Sequence, residues 1–188
     1  MNKIVLVLIL LCGCFLSFDE KINKSQEEED VILWSKNRKL TWDDFQGLAD
    51  ETKEDNAFPS FLIESDVKLG QDNLDVTVQC SFNKKASWTS SNSNLLLKYF
   101  QLRFDIIELN LRKLREKVLK VKISELENGI DDKIIENFYN RLYEVNKKYD
   151  NDTKLGQDSD KLNEWEKKVE VELKEFEAFE KSRYTLSR

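Results

Sequence analysis

The chain has 188 residues, 40% of them hydrophobic and 35% charged, which predicts one compact domain with a substantial core. One Pro and five Gly are too few for a many-turned β-sandwich and favour a helix-rich fold. A net charge of −6 argues against nucleic-acid binding, which needs a clustered basic face. After residue 110 acidic and basic residues alternate closely, the usual pattern of solvated helix faces.

Met1-Asn2-Lys3 supplies a short positive region, followed by the apolar run "IVLVLILLC", too short to span a bilayer comfortably. The run ends in "LCGC" (11–14), which resembles the bacterial lipobox, where a small residue precedes a Cys that is lipidated and becomes the new N-terminus. Gly13 and Cys14 fit that pattern, while Cys12 is unusual at its position; the alternative is an ordinary signal peptide with two incidental cysteines. The expectation is a signal peptide over 1–13, lipid on Cys14, and an acidic tether through residue 30. Extended, the tether reaches on the order of 50 Å. The chain is then exported and anchored in the envelope, with the membrane as its first partner. Acidic residues after the Cys resemble surface-export signals of some Gram-negative bacteria and favour the outer membrane. With Cys14 lipidated, Cys80 is the one thiol left to the mature chain, so no internal disulfide is available. In "VTVQCSF" it reads as a small buried hydrophobe.

The domain is expected over 31–188. It opens with "VILWSKNRKLTWDDFQG", where Trp34, Trp42 and Phe45 predict a packed anchor, Asp43 or Asp44 a cap, and Gly47 a turn. Two alternating runs, 60–70 and 73–82, predict a β-hairpin across Gly70-Gln71-Asp72-Asn73. Ser93 or Asn94 can cap a helix beginning at Leu95, with apolar stripes through Tyr99, Leu102, Ile106, Leu109 and through Ile107, Leu111, Leu114, Val118, Val121. This helix is expected to reach Asn128-Gly129. A second is expected from Asp131 or Asp132 to about Lys148. A polar connection over 149–160 leads to a third helix, in which Trp165 is a further anchor. The fold class is α+β: a small antiparallel sheet packed on three helices.

"LTWDDFQG" (40–47), Ser87-Trp88, "RFDIIELNLRKLR" (103–115) and "YDNDTKLGQDSDKLNEW" (149–165) occur in an order that resembles the bacterial family called domain of unknown function 922. Members of that family are secreted or lipid-anchored and are regarded as zinc-dependent peptidases, so the resemblance implies a zincin-like fold. The family's central helix carries His-Glu-x-x-His followed by Phe-Asp-Ile. Two His at i and i+4 share a helical face and can bind one zinc, and the Glu serves as general base. Aligned on "FDI" (104–106), the resemblance places Tyr99 and Arg103 at the two His, Phe100 at the Glu, and Leu155 at a further His in a Thr-x-His-Gly segment.

Every replacement removes chemistry. A guanidinium has no lone pair to offer, Phe100 cannot take a proton, Leu155 has no donor atom, and Tyr99 could ligate only as phenolate. The chain contains no His at all. A calcium or magnesium site on Asp105, Glu108 or the 150–160 segment lacks the regular Asp-x-Asp-x-Asp-Gly loop, and Asp105 and Glu108 read equally as solvated or as paired with Arg112. No metal and no other cofactor is expected. Tyr99, Phe100 and Leu155 are expected to fill the old cleft floor as core. Arg103 is open between a snorkelling surface residue and a cation paired with Asp150, Asp152 or Asp158. The function expected is a catalytically inactive, peptidase-like envelope module that binds or scaffolds a protein or peptide. The alternative is a hydrolase using carboxylates, or another non-zinc site, in the same cleft.

Overall fold

The computed structural model describes residues 30–49 and 56–188. The signal segment, Cys14 and the tether as far as residue 29 lie outside the described residues.

Strands β1 (Val31–Leu33), β2 (Ala57–Phe58), β3 (Phe61–Leu69), β4 (Asn73–Asn83), β5 (Trp88–Thr89) and β6 (Arg183–Ser187) accompany helices α1 (Asn94–Val118), α2 (Ile123–Leu126), α3 (Asp132–Thr153) and α4 (Ser159–Glu175). The fold is α+β with antiparallel sheets throughout, as the sequence predicts. β4 is the axis of the main sheet. β3 pairs along its length, from Phe61 opposite Phe82 to Leu69 opposite Leu74. The other edge of β4 is shared by the two ends of the domain: β1 lies opposite Ser81–Asn83, and β6 opposite Asn73–Thr77. A separate two-stranded sheet joins β2 to β5.

The period-2 pattern of β4 explains its position. Leu74, Val76, Val78, Cys80 and Phe82 all point inward and are buried, while the alternate residues face outward. They pack on α1, which also meets α3 and α4. α1 therefore lies between the sheet and the helical layer, and its middle, Phe104 to Arg112, is buried on every side. Ser93 caps it by accepting a hydrogen bond from the Leu96 N–H (3.3 Å). Asp131 caps α3 in the same way through the Lys133 N–H (2.8 Å). Asp44 closes the short 3-10 turn Trp42–Asp44, its carboxylate accepting from the Thr41 N–H (2.7 Å).

Three boundaries differ from the sequence reading. α1 stops at Val118 rather than near Asn128, and the short α2 after the break buries Leu126, 1% exposed, in the core. α3 runs on to Thr153, because Tyr149 is fully buried and belongs to the stripe of Phe138, Leu142 and Val145. The C-terminal "RYTLS" is a strand, its Tyr184 and Leu186 opposite Val76 and Leu74. The alternation after residue 110 also misleads: Arg112 and Arg115 are 3% and 2% exposed, not solvated.

Candidate functional site: the Tyr99–Arg103–Asp150 cleft

Tyr99 and Arg103 lie one helical turn apart on α1 and share a face. The Arg103 guanidinium carbon sits 5.0 Å from the centre of the Tyr99 ring and 5.9 Å from that of Tyr149. Arg103 Nη2 donates to the Tyr99 phenol oxygen and to Asp150 Oδ1, with which it forms an ion pair. The Tyr99 O–H donates to the same Asp150 Oδ1 at 2.6 Å. Of the three carboxylates open at the sequence level, Asp150 is the partner of Arg103. Asp152 takes Lys148 (2.8 Å) and the Trp165 indole N–H (3.1 Å) instead, and Asp158 caps α4 through the Lys161 N–H (3.1 Å). Arg103 is not a snorkelling residue; its side chain is 22% exposed and turned towards α3.

The backbone after α3 completes this arrangement. Tyr99 stacks on Tyr149 with ring centres 5.0 Å apart and planes 12° off parallel. The Tyr149 O–H donates to the Tyr99 carbonyl (2.9 Å). On another side Gly156 comes so close that a Cβ there would stand 2.8 Å from Tyr99 Cβ and Cγ, and its φ of +87° excludes most other residues as well. Lys154 and Leu155 precede it, also left-handed, at φ 51° and 55°. A bulky residue adopts that conformation at a cost of about 1 kcal/mol.

Of the three side chains expected in the core, Tyr99 and Phe100 are buried and Leu155 is not. Tyr99 and Phe100 are 4% and 5% exposed, and Phe100 packs on Phe45 (ring centres 5.9 Å) and edge-on to Trp42 (6.4 Å). Leu155 is 60% exposed, because the left-handed turn that brings Gly156 onto Tyr99 carries the Leu155 side chain to the rim. Between that rim, β2 and the first turns of α1 lies an open cleft of about 630 Å³, with Tyr99, Phe100 and Arg103 in its wall.

The donor set does not fit zinc. Arg103 is cationic and engaged with Asp150, Phe100 is core, and Leu155 has no ligand atom. Burial, with the Asp150 hydrogen bond, pushes the Tyr99 phenol up to about 12, so it is a protonated donor at neutral pH. Among the described residues no group of three or more His, Cys, Asp and Glu could hold a metal ion. Because the folded pKa of Tyr99 lies above the unfolded value of about 10, its contribution to stability is complete below pH 10 and is lost as pH rises through about 12. Subtracting the ultraviolet phenolate titration of Tyr99→Phe from that of the wild type should therefore isolate one phenol with a midpoint near 12. A midpoint near 10 would mean that in solution Tyr99 is neither buried nor bonded to Asp150.

A second cluster lies on the opposite side of α1. Asp105 accepts hydrogen bonds from the Trp34 indole (2.7 Å), Gln101 (2.8 Å) and Lys39 (3.1 Å). Glu108, 2% exposed, accepts from Arg112 Nε (3.0 Å) and from Arg115 Nη1 (2.8 Å) and Nη2 (3.0 Å). A cavity of about 250 Å³ opens beside Trp34, Asp105 and Arg112, where the Trp34 indole donates to Asp105 and the Arg112 guanidinium lies 5.2 Å from the Trp34 ring centre. Cys80 is buried against Glu108, as its alternating strand predicts, and burial first and the Glu108 charge second push its thiol pKa up. It is an inert thiol rather than a nucleophile. The sequence reading named Glu108 and Arg112 and took Trp34 as an anchor, but did not name Arg115 or Tyr149. Comparison with family models, curated proteins and solved structures finds no match to this chain.

Proposed function

We propose that the chain is a cell-envelope lipoprotein, anchored through Cys14, whose peptidase-like domain is catalytically inactive and binds or scaffolds a protein or peptide. The observation that carries this reading is the Tyr99–Arg103–Asp150 cluster, of which Tyr99 and Arg103 stand in the wall of an open cleft and Asp150 lies behind them. At the positions where the resemblance places two zinc ligands, this chain has a phenol and a guanidinium bonded to a carboxylate, and at the place of the general base it has a buried ring. Such a cleft retains room for an extended chain, while its polar groups are arranged for recognition rather than for activating water. Asp150 is held by both Tyr99 and Arg103, and no carboxylate is among the described residues lining the cleft, which disfavours the carboxylate hydrolase.

The test is capture from outer-membrane extracts by the full chain, with Leu155→Asp as the cleft-rim control, alongside a generic peptidase assay. The expected result is a partner retained by the wild type, lost by the variant and left uncleaved. Equal capture by both proteins would move the binding surface elsewhere. Hydrolysis abolished by EDTA would overturn the reading.

A further inference from the structure

β3 has one paired edge and one open edge. At one end of its ladder with β4 the Gly70 N–H donates to the Asn73 carbonyl (2.9 Å), and at the other the Asn83 N–H donates to the Ser60 carbonyl (2.9 Å). With the register between them, this turns the backbone of each even-numbered residue towards β4. The N–H and C=O groups of Phe61, Ile63, Ser65, Val67 and Leu69 therefore point to the other edge, where no strand lies among the described residues. Nine residues make a long edge, and a row of free N–H and C=O groups is a ready surface for another strand.

The charges along β3 decide which strand fits. Glu64, Asp66 and Lys68 all stand on its outer face, opposite Gln79, Thr77 and Asp75 of β4. For a second copy of β3 that pairs antiparallel about a two-fold axis, the position of the axis fixes every cross-pair. With the axis at Ser65, Glu64 faces the second copy's Asp66. With the axis at Asp66, the two Asp66 carboxylates face each other. With the axis at Val67, each Asp66 faces the other copy's Lys68, and no like charges are opposed. These are the non-hydrogen-bonded positions of the new ladder, where opposed side chains come closest. Lys68 already stands opposite Asp75 and lies 3.6 Å from Asp66 of its own strand, so the new carboxylate joins an existing alternation of charge.

The inner face fits the same axis. It sets Leu69 of one copy opposite Ser65 of the other. Leu69 is 57% exposed, a large apolar side chain at the open edge. Ser65 is small and exposed, and it borders a hollow of about 340 Å³ whose wall includes Val67, Ile130 and Ile135. A leucine arriving opposite Ser65 is thus brought to a hollow with apolar walls, where covering it is favourable.

We propose that the chain forms a two-fold dimer by antiparallel pairing of β3 with β3 about Val67, which joins two four-stranded sheets into one. Val67 pairs with its own copy and Ser65 with Leu69 on either side of the axis, giving about six backbone hydrogen bonds. The dimer uses the sheet edge and leaves the Tyr99–Arg103 cleft of each copy to its own ligand.

The test is sedimentation equilibrium of the full chain in density-matched detergent, with circular dichroism to check that each variant is folded. The wild type should show a concentration-dependent equilibrium between monomer and dimer. Asp66→Lys and Lys68→Asp each oppose like charges at both cross-pairs and should weaken the dimer at least about tenfold. Combining the two reversals sets opposite charges face to face again and should recover the wild-type constant to within about threefold. Ser65→Pro removes an N–H that points to the open edge and none that bonds β4, so it should abolish the dimer and leave the monomer folded. A monomer at every concentration would overturn the proposal; protection of the Ser65, Val67 and Leu69 amides from exchange in that monomer would assign the edge to another segment of this chain. A dimer indifferent to both single reversals would overturn it by placing the interface elsewhere. A dimer strengthened by Asp66→Lys would move the axis to Ser65, and failure of the folded double variant to recover would equally contradict pairing about Val67.

Discussion

Glu108→Gln lowers the stability of the full chain by about 3–5 kcal/mol, the cost of breaking a buried ion pair from one side. For a chain of this size that corresponds to a thermal midpoint lower by on the order of 10 °C. Glu108 is the anion to which Arg112 and Arg115 are both bonded in the core. These two side chains carry further bonds that hold the domain together. Arg115 Nε donates to the Val78 carbonyl of β4 (2.8 Å), Arg115 Nη1 to the Phe179 carbonyl (3.0 Å), and Arg112 Nη1 to the Leu173 carbonyl of α4 (2.9 Å). The cluster thus ties the sheet to the chain that leaves α4 and returns as β6. Gln keeps an acceptor but not the charge, so two guanidiniums remain buried, and the ion-pair partner left to them among the described residues is Glu180, half-exposed and 3.6 Å from Arg112. Urea unfolding checks the value, and a change below about 1 kcal/mol, the scale of an exposed pair, would mean water reaches the cluster.

Phe100→Ala should cost a similar amount, about 3–5 kcal/mol, because a large buried ring leaves a cavity its neighbours only partly fill. Phe100 is 5% exposed and joins Trp42, Phe45 and Tyr99 into one aromatic cluster, so its loss also loosens the wall that positions Tyr99. Phe100→Glu, which places a carboxylate where the resemblance puts the general base, should be at least as damaging, since the carboxylate would be stranded among those rings. A neutral effect of Phe100→Ala on urea unfolding would show that this position is not part of the core.

The strength of period-2 and period-3.6 signals decided what could be read in advance. β4 alternates cleanly over its eleven residues and β3 over its first four, and α1 carries two apolar stripes, so the hairpin and the central helix were legible. β6 was not: five residues with Tyr184 and Leu186 inward are too short a run to stand out beside a charged helix, and only the open edge of β4 gives them a partner. The end of α3 was hidden because Asp150, Asn151 and Asp152 look like a loop, whereas Tyr149 and Thr153 are its last inward turn, with Thr153 Oγ1 donating to the Tyr149 carbonyl (2.7 Å). Arg103 carried two readings in sequence because its partner is 47 residues away; the fold alone brings Asp150 to it. Leu155 shows the opposite limit. Its apolar character pointed to the core, but the left-handed backbone on either side of it decides its direction.

The central claim is the proposal that Tyr99 and Arg103, held with Asp150 in one phenol–guanidinium–carboxylate cluster, bind no metal. Its most direct test is the zinc content of the purified full chain, measured by mass spectrometry after equilibration with excess zinc and removal of the loosely bound ion. The arrangement of Tyr99, Arg103 and Asp150 predicts zinc at background, unchanged by Asp150→Asn. One zinc ion retained per chain, and lost in that variant, would contradict it.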